Sequence, residues 1–299
     1  MGMNIEKEKR AIQYLKTFEP QDEPYYLCYS GGKDSDVIKI LAQLAGVKYE
    51  AVHNLTTVDA PETVYYVRSQ KDVRIDKPEQ TMWQLIEEKL LPPTRLVRYC
   101  CEKQKEHGGK GRLKVTGVRW AESNGRKDNS GVVSVVKKPK TMIRQATERE
   151  LQFEVNKKGG LVLNDDNANT RQFIEQCYRT ASFLVNPIVD WLDDEVWDFL
   201  RYYGCRSNPL YAEGQNRIGC VGCPMQGFCG MKNDFARWPK YKDNYIRAFD
   251  RMIIRRKDRC LPTTWNSGEE CFIWWVGDDP NQLSLFDMDD DSLFEAGIL

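Results

Sequence analysis

The chain has 299 residues, enough for a full α/β core with a substantial appendage, and its 44 Lys and Arg balance 44 Asp and Glu. Bulk charge therefore announces neither a nucleic-acid nor a membrane partner, and no run approaches the ~20 consecutive apolar residues of a membrane span. The N-terminal stretch is charged where a signal peptide needs an apolar segment, so a cytoplasmic setting is expected, and the ten cysteines read as metal ligands, reactive thiols or packing residues in preference to disulfides.

Strand-like and helix-like segments alternate through the first half, which predicts a Rossmann-like α/β domain with a parallel sheet and helices on both faces. Tyr25 to Tyr29 reads as a short buried strand, followed by a helix from Asp34 to Ala45 with Val37, Ile38, Leu41 and Leu44 at helical spacing. Tyr49 to Asn54 is the next strand, Glu79 to Lys89 a helix, and Lys114 to Val118 a strand ending in Gly-Val-Arg. Between about Gly131 and Asn169 a basic run, Phe153-Glu-Val, a Lys158-Gly-Gly turn and Leu161-Val-Leu predict a β-hairpin insertion. Phe183 to Ile188 is strand-like, and a helix from Asp193 to Tyr203 stops at Gly204. A Cys-rich segment and a basic helix from about Lys240 to Arg259 follow, then an acidic tail. The expected division is residues 1–204 for nucleotide binding, 205–275 for a small, mostly helical Cys-rich region, and 276–299 for the tail.

Ser30-Gly-Gly-Lys-Asp-Ser35 falls where a strand ends and a helix begins, so backbone N–H groups and the helix dipole converge on an anion. Gly31 and Gly32 permit close approach of the backbone, Ser30 and Ser35 add hydroxyls, and Lys33 supplies a cation beside Asp34. Thr56-Thr-Val-Asp59-Ala-Pro61-Glu62-Thr63 follows the second strand, with Pro61 and Glu62 suited to open a helix. Thr116-Gly117-Val-Arg119-Trp-Ala-Glu122-Ser123, with Arg126 beyond, offers two guanidinium groups suited to phosphate or sulfate oxygens. Neither His53 nor His107 is placed as a general base.

These three stretches together resemble the phosphoadenosine phosphosulfate reductase-like group of the adenine-nucleotide α-hydrolase, or ATP pyrophosphatase, superfamily. The resemblance implies ATP with Mg2+ as ligand, Lys33, Asp34 and Arg119 as catalytic groups, and Ser30, Gly31, Gly32, Ser35, Asp59, Glu62, Gly117 and Arg126 as further nucleotide contacts. Cys220-Val-Gly-Cys223 and Cys100-Cys101 are thiol pairs of the kind that grip zinc or an iron–sulfur cluster. With Asn208-Pro-Leu-Tyr they resemble the [4Fe–4S] signature of adenylylsulfate reductases. DNA-phosphorothioation sulfurtransferases of the same superfamily are similar too, and there Cys229 replaces Cys101 as the fourth ligand.

The loop keeps its ATP form, and no cysteine follows Cys271, so the tail-thiolate route of sulfonucleotide reduction is not expected. The resemblance implies adenylation of a substrate with release of pyrophosphate and support of sulfur transfer, on DNA or RNA and with a sulfur donor protein. The alternatives are a sulfonucleotide reductase and a non-catalytic, nucleotide-sensing DNA-associated protein. The basic helix carries aromatics suited to a polyanion, and Gln282-Leu-Ser-Leu-Phe286 resembles the pentapeptide that bacterial replication proteins insert into the sliding clamp.

Overall fold

The run Tyr25–Cys28 forms strand β1, and its first three residues are all buried, as expected of a strand covered on both faces. The other strands are β2 (Tyr49–Asn54), β3 (Val73–Asp76), β4 (Lys114–Val115), β5 (Val133–Lys137), β6 (Glu154–Val155), β7 (Leu161–Leu163) and β8 (Ser182–Val185). The helices are α1 (Ile5–Thr17), α2 (Lys33–Ala45), α3 (Pro61–Ser69), α4 (Met82–Lys89), α5 (Asn124–Asn129), α6 (Pro139–Glu148), α7 (Ala168–Cys177), α8 (Asp193–Tyr202), α9 (Gly227–Arg237), α10 (Pro239–Asp258) and α11 (Gly268–Trp275). The computed structural model describes residue 2 and residues 4–278, with Lys137 described through its backbone alone. Among the described residues, no helix is long and apolar enough to cross a membrane.

Contacts divide the chain into two units that are discontinuous in sequence. Among the described residues, the first takes those up to 55, 59–77 and 105–218, and the second takes 56–58, 78–104 and 219–278. The division therefore runs differently from the linear boundary expected at residue 204, because α4 and the Cys100 segment pack with the C-terminal helices.

The first unit holds one eight-stranded sheet in the order β3-β2-β1-β4-β8-β5-β7-β6. The strands from β3 through β8 run parallel, with Tyr25 beside Tyr49 and Val115 beside Val185. Beyond β8 the sheet turns antiparallel, so it is mixed rather than parallel throughout. The expected insertion supplies those antiparallel strands: β6 and β7 form a hairpin, β5 pairs with β7 and β8, and α6 occupies the basic stretch. Val133 and Val135 explain the change, since both are buried and continue the core alongside Phe183 and Val185.

Helix α2 begins at the loop after β1 with Asp34 and Asp36 in its first turn, where carboxylates oppose the helix dipole, and ends at Gly46 in the left-handed region. Val37, Ile38, Leu41 and Ala42 are its buried stripe. Reversal of strand order on either side of β1 makes the carboxyl ends of β1 and β4 a topological switch point, the place where open α/β sheets bind ligands. Asn186, just past β8, braces this edge: its amide donates to the Gly131 carbonyl at 2.7 Å and the Ser134 hydroxyl at 3.3 Å, and its oxygen accepts from Thr116.

The second unit is helical. A capping box between Thr81 and Gln84 starts α4. Tyr245 of α10 meets Trp83 edge-on at 5.0 Å and Trp275 of α11 at 4.7 Å, forming an aromatic core with Phe235, Phe249 and Phe272.

Asn186→Ala leaves the buried Gly131 carbonyl and Ser134 hydroxyl and the part-buried Thr116 hydroxyl short of a partner, and unfolding in urea should show a loss of about 2–3 kcal/mol with an unchanged m-value. A loss below about 0.5 kcal/mol would mean that this bracing is not structural.

Candidate nucleotide site and cysteine group

Backbone geometry shapes the loop first. Gly31 has φ +76°, and a Cβ there would lie 2.8 Å from Val67 Cγ2. A side chain at Gly117 would meet the Asp34 backbone at 3.0 Å, so the end of β4 packs directly on the start of α2. Ser35 Oγ donates to the Gly32 carbonyl at 2.7 Å, and the Gly32 amide donates to Ser30 Oγ at 3.4 Å. Ser30 is exposed, whereas Gly31, Gly32, Lys33 and Ser35 are buried.

Polar groups then lock this arrangement from two directions. The Asn208 amide donates to the Gly31 carbonyl at 3.1 Å and to Thr63 Oγ1 at 3.0 Å, fastening the loop to α3. The Lys33 amide donates to the Tyr211 hydroxyl at 2.9 Å. The Lys33 ammonium lies 3.6 Å from Asp193 and 3.9 Å from Asp34.

Arg119 is only 1% exposed. Its Nε donates to Asp34 Oδ1 at 2.7 Å, one terminal nitrogen to Asp193 Oδ1 at 2.5 Å, and the other to the Trp191 carbonyl at 3.2 Å. The guanidinium expected as an anion clamp is thus committed to two carboxylates and a carbonyl. Arg126 is exposed and lies 3.5 Å from Glu122, which also accepts the Arg119 backbone amide at 3.4 Å. Burial raises the Asp34 carboxyl despite Arg119 and Lys33. Burial pushes Asp193 the same way but is outweighed by Arg119 and Lys33, so that group ends below its ordinary value.

Asp59 is buried just before α3, and Glu62 lies in that helix's first turn behind Pro61. Asp36 accepts from Tyr29 at 2.5 Å and Tyr66 at 3.0 Å, and burial lifts its carboxyl to about 6. His53 Nδ1 lies 3.0 Å from the Tyr29 carbonyl, while its Nε2 is buried without a hydrogen-bond partner. Burial lowers the His53 pKa against the pull of Asp59.

In the second unit, Cys101 opens a π-helical turn with Cys100 directly before it, and the Cys220 to Cys223 knuckle is held on α9 and α10. The Gly222 amide donates to Asp234 at 2.8 Å, the Val221 amide to the Val58 carbonyl at 2.8 Å, and the Tyr245 hydroxyl to the Val221 carbonyl at 3.2 Å. The Cys100 thiol is pushed well up by its hydrogen bond with Cys101, by burial, and by the neighbouring thiols of Cys101, Cys220 and Cys223. Cys229 is exposed in the first turn of α9. The donor types suit a thiolate-bound metal, yet among the described residues no group of three or more His, Cys, Asp or Glu is arranged to hold one. Of the remaining cysteines, Cys177 and Cys271 are buried, Cys28 and Cys205 partly so, and Cys260 is exposed.

The family model described as "Phosphoadenosine phosphosulfate reductase domain" matches residues 24–226. The chain belongs to this family. An adenosine 5'-phosphosulfate reductase of Staphylococcus haemolyticus is 32% identical over 74 residues, covering 25% of the chain and 30% of that protein. The uncharacterized protein MJ0066 of Methanocaldococcus jannaschii is 26% identical over 252 residues, covering 81% of the chain and 45% of its own length. A 37.8 kDa protein of Escherichia phage 186 is 35% identical over 54 residues, covering 18% of the chain and 16% of that protein. The chain therefore spans less than two thirds of these relatives. Among solved structures, Candida glabrata FMN adenylyltransferase aligns over 73% of the chain and 61% of its own at 14% identity, with a TM-score of 0.42. The Candida auris phosphoadenylyl-sulfate reductase aligns over 74% and 97% at 15% identity, with a TM-score of 0.31.

Within this family fold, the polar contacts of Asn208, Tyr211 and Asp193 with the loop escaped the sequence reading. Asn208-Pro-Leu-Tyr211 was expected only as part of the cluster signature, since only the folded chain brings it to the loop. The basic helix proves largely self-engaged: Arg255 pairs with Glu87 at 3.3 Å, and Arg256 donates to the Leu90 carbonyl at 2.7 Å. The clamp-like motif at Gln282 to Phe286 lies outside the described residues.

Asp36 yields a pH test. An acid held higher when folded than its ordinary 3.8 binds its proton more readily in the folded state, so its contribution favours folding near pH 4 and is lost as pH rises through about 6. The effect is on the order of 3 kcal/mol. Between about pH 4 and 7 the melting temperature of the parent protein should fall relative to Asp36→Asn; parallel curves would contradict the burial argument.

Proposed function

We propose that the loop binds ATP and that the protein adenylates an acceptor, with pyrophosphate as leaving group. The observation that carries this reading is the Ser30 to Ser35 loop at the switch point, opening α2 with a buried Lys33. Its order of glycines, hydroxyls and cation suits the β- and γ-phosphates of ATP. An acceptor oxygen forms its bond to the α-phosphorus, the bond to the bridging oxygen breaks, and pyrophosphate departs with the electron pair. Magnesium, which usually takes one or two carboxylates plus phosphate oxygens, would be held by Asp34. Its chemistry is to spread the charge of the leaving phosphates.

The thiol donor set of Cys100, Cys220 and Cys223, with Cys101 or Cys229 as the fourth, suits a thiolate-bound iron–sulfur cluster, with zinc as the alternative. Sulfur transfer to a nucleic acid is the finer form of the same reading. Sulfonucleotide reduction is a second reading, favoured by the short matched stretch of the Staphylococcus haemolyticus reductase.

Product analysis separates these. Incubation with labelled ATP and candidate acceptors should release pyrophosphate and leave adenylate on the acceptor. Release of ADP and phosphate would contradict the reading, and sulfite from adenylyl sulfate with a thiol reductant would favour the reductase. For the cysteines, anaerobically purified protein should contain iron and acid-labile sulfide in equal amounts; zinc without sulfide would overturn the cluster.

A further inference from the structure

Two contacts around Lys33 have the form of contacts a phosphate would make. Its backbone N–H, at the first position of α2, donates to the phenol oxygen of Tyr211 at 2.9 Å. Its ammonium, on a side chain only 8% exposed, faces the Asp193 carboxylate at 3.6 Å. One contact is a neutral oxygen on a helix-terminal amide, the other an anionic oxygen on the loop cation. Both partners come from the chain that follows β8, and both line a cavity of about 560 Å³ with Trp197, Asn208 and Gln215. Trp197 stacks edge-on against Tyr211 at 5.0 Å and fixes the ring.

Resting on the loop reading above, we propose that Tyr211 and Asp193 are the internal competitors of the polyphosphate. A phosphate oxygen that takes the Lys33 amide must displace the Tyr211 hydroxyl, and one that takes the ammonium must draw it from Asp193. These two residues thereby set how tightly, and for how much negative charge, the loop closes on an anion. An anion of low charge gains little by breaking both contacts, whereas pyrophosphate or the tail of ATP replaces both with stronger, charge-assisted ones. Asp193 is suited to yield: its side chain is 62% exposed, and Arg119 still keeps Asp34 when Asp193 turns away.

The roles of ligand and competitor predict opposite signs. If the Tyr211 hydroxyl donated to phosphate, Tyr211→Phe would weaken binding, and a merely structural tyrosine would also weaken it or leave it unchanged. As a competitor, its removal frees the amide and tightens binding. Calorimetry on the full chain with inorganic pyrophosphate, and separately with α,β-methylene ATP and magnesium, should show Tyr211→Phe lowering the Kd about fivefold. Asp193→Asn keeps an oxygen for Arg119 while removing the charge opposite Lys33, and should tighten pyrophosphate more than inorganic phosphate. Melting curves of both variants establish that the chain is folded. Measurable binding by the parent with equal or weaker binding by folded Tyr211→Phe overturns the inference and leaves the loop reading standing. Failure of parent and variants alike to bind either ligand overturns both. Binding by the variants where the parent shows none supports the competition.

Discussion

The buried guanidinium of Arg119 is the interaction on which the site depends. It joins Asp34 at the start of α2, Asp193 at the start of α8 and the Trp191 carbonyl, while its own backbone follows β4. Three segments, with Arg119 85 residues from Asp34 and 74 from Asp193, are thereby tied at one point. Removal of the less exposed partner, Asp34, costs about 3–5 kcal/mol, because it takes from the buried guanidinium its main compensating charge. The glycine at position 117 is part of the same constraint, since any side chain there would push β4 off α2.

That arrangement decides what attracts an anion. Arg119 and Lys33 bring two positive charges, and Asp34 and Asp193 bring two negative ones when ionised, so the local charge is close to balanced. Attraction for a polyphosphate then rests on the amides and dipole at the start of α2 and on redirecting Lys33. Burial strengthens both, because the buried loop leaves little water to screen them. Specificity resides in the exchange of internal partners for external ones rather than in a standing excess of positive charge.

Much of this was legible in sequence where a local rule applied. β2 and the end of α2 fell where apolar spacing and Gly46 place them, and the loop was evident from its glycines between a strand and a helix. Long-range pairing was less legible. Val133 and Val135 have the same pattern in an inserted hairpin as in a central sheet strand, and only their register against β8 distinguishes the two. Arg119 looked like a free guanidinium because its partners, 85 and 74 residues away, are invisible to any local pattern. Asn208 and Tyr211 were hidden for the same reason. Cys100, Cys101, Cys220 and Cys223 were set together by the resemblance, with Cys229 competing against Cys101, and among the described residues no three of them are arranged to hold a metal.

The most direct test of the central claim is amide hydrogen exchange of the full chain with and without magnesium and α,β-methylene ATP. If the loop holds the phosphates, the peptide covering Ser30 to Asp36 should slow markedly on ligand addition, and Gly32→Val should abolish that protection without altering exchange in the core strand β8. Protection elsewhere with unchanged exchange in the loop would contradict the account and move the nucleotide away from α2.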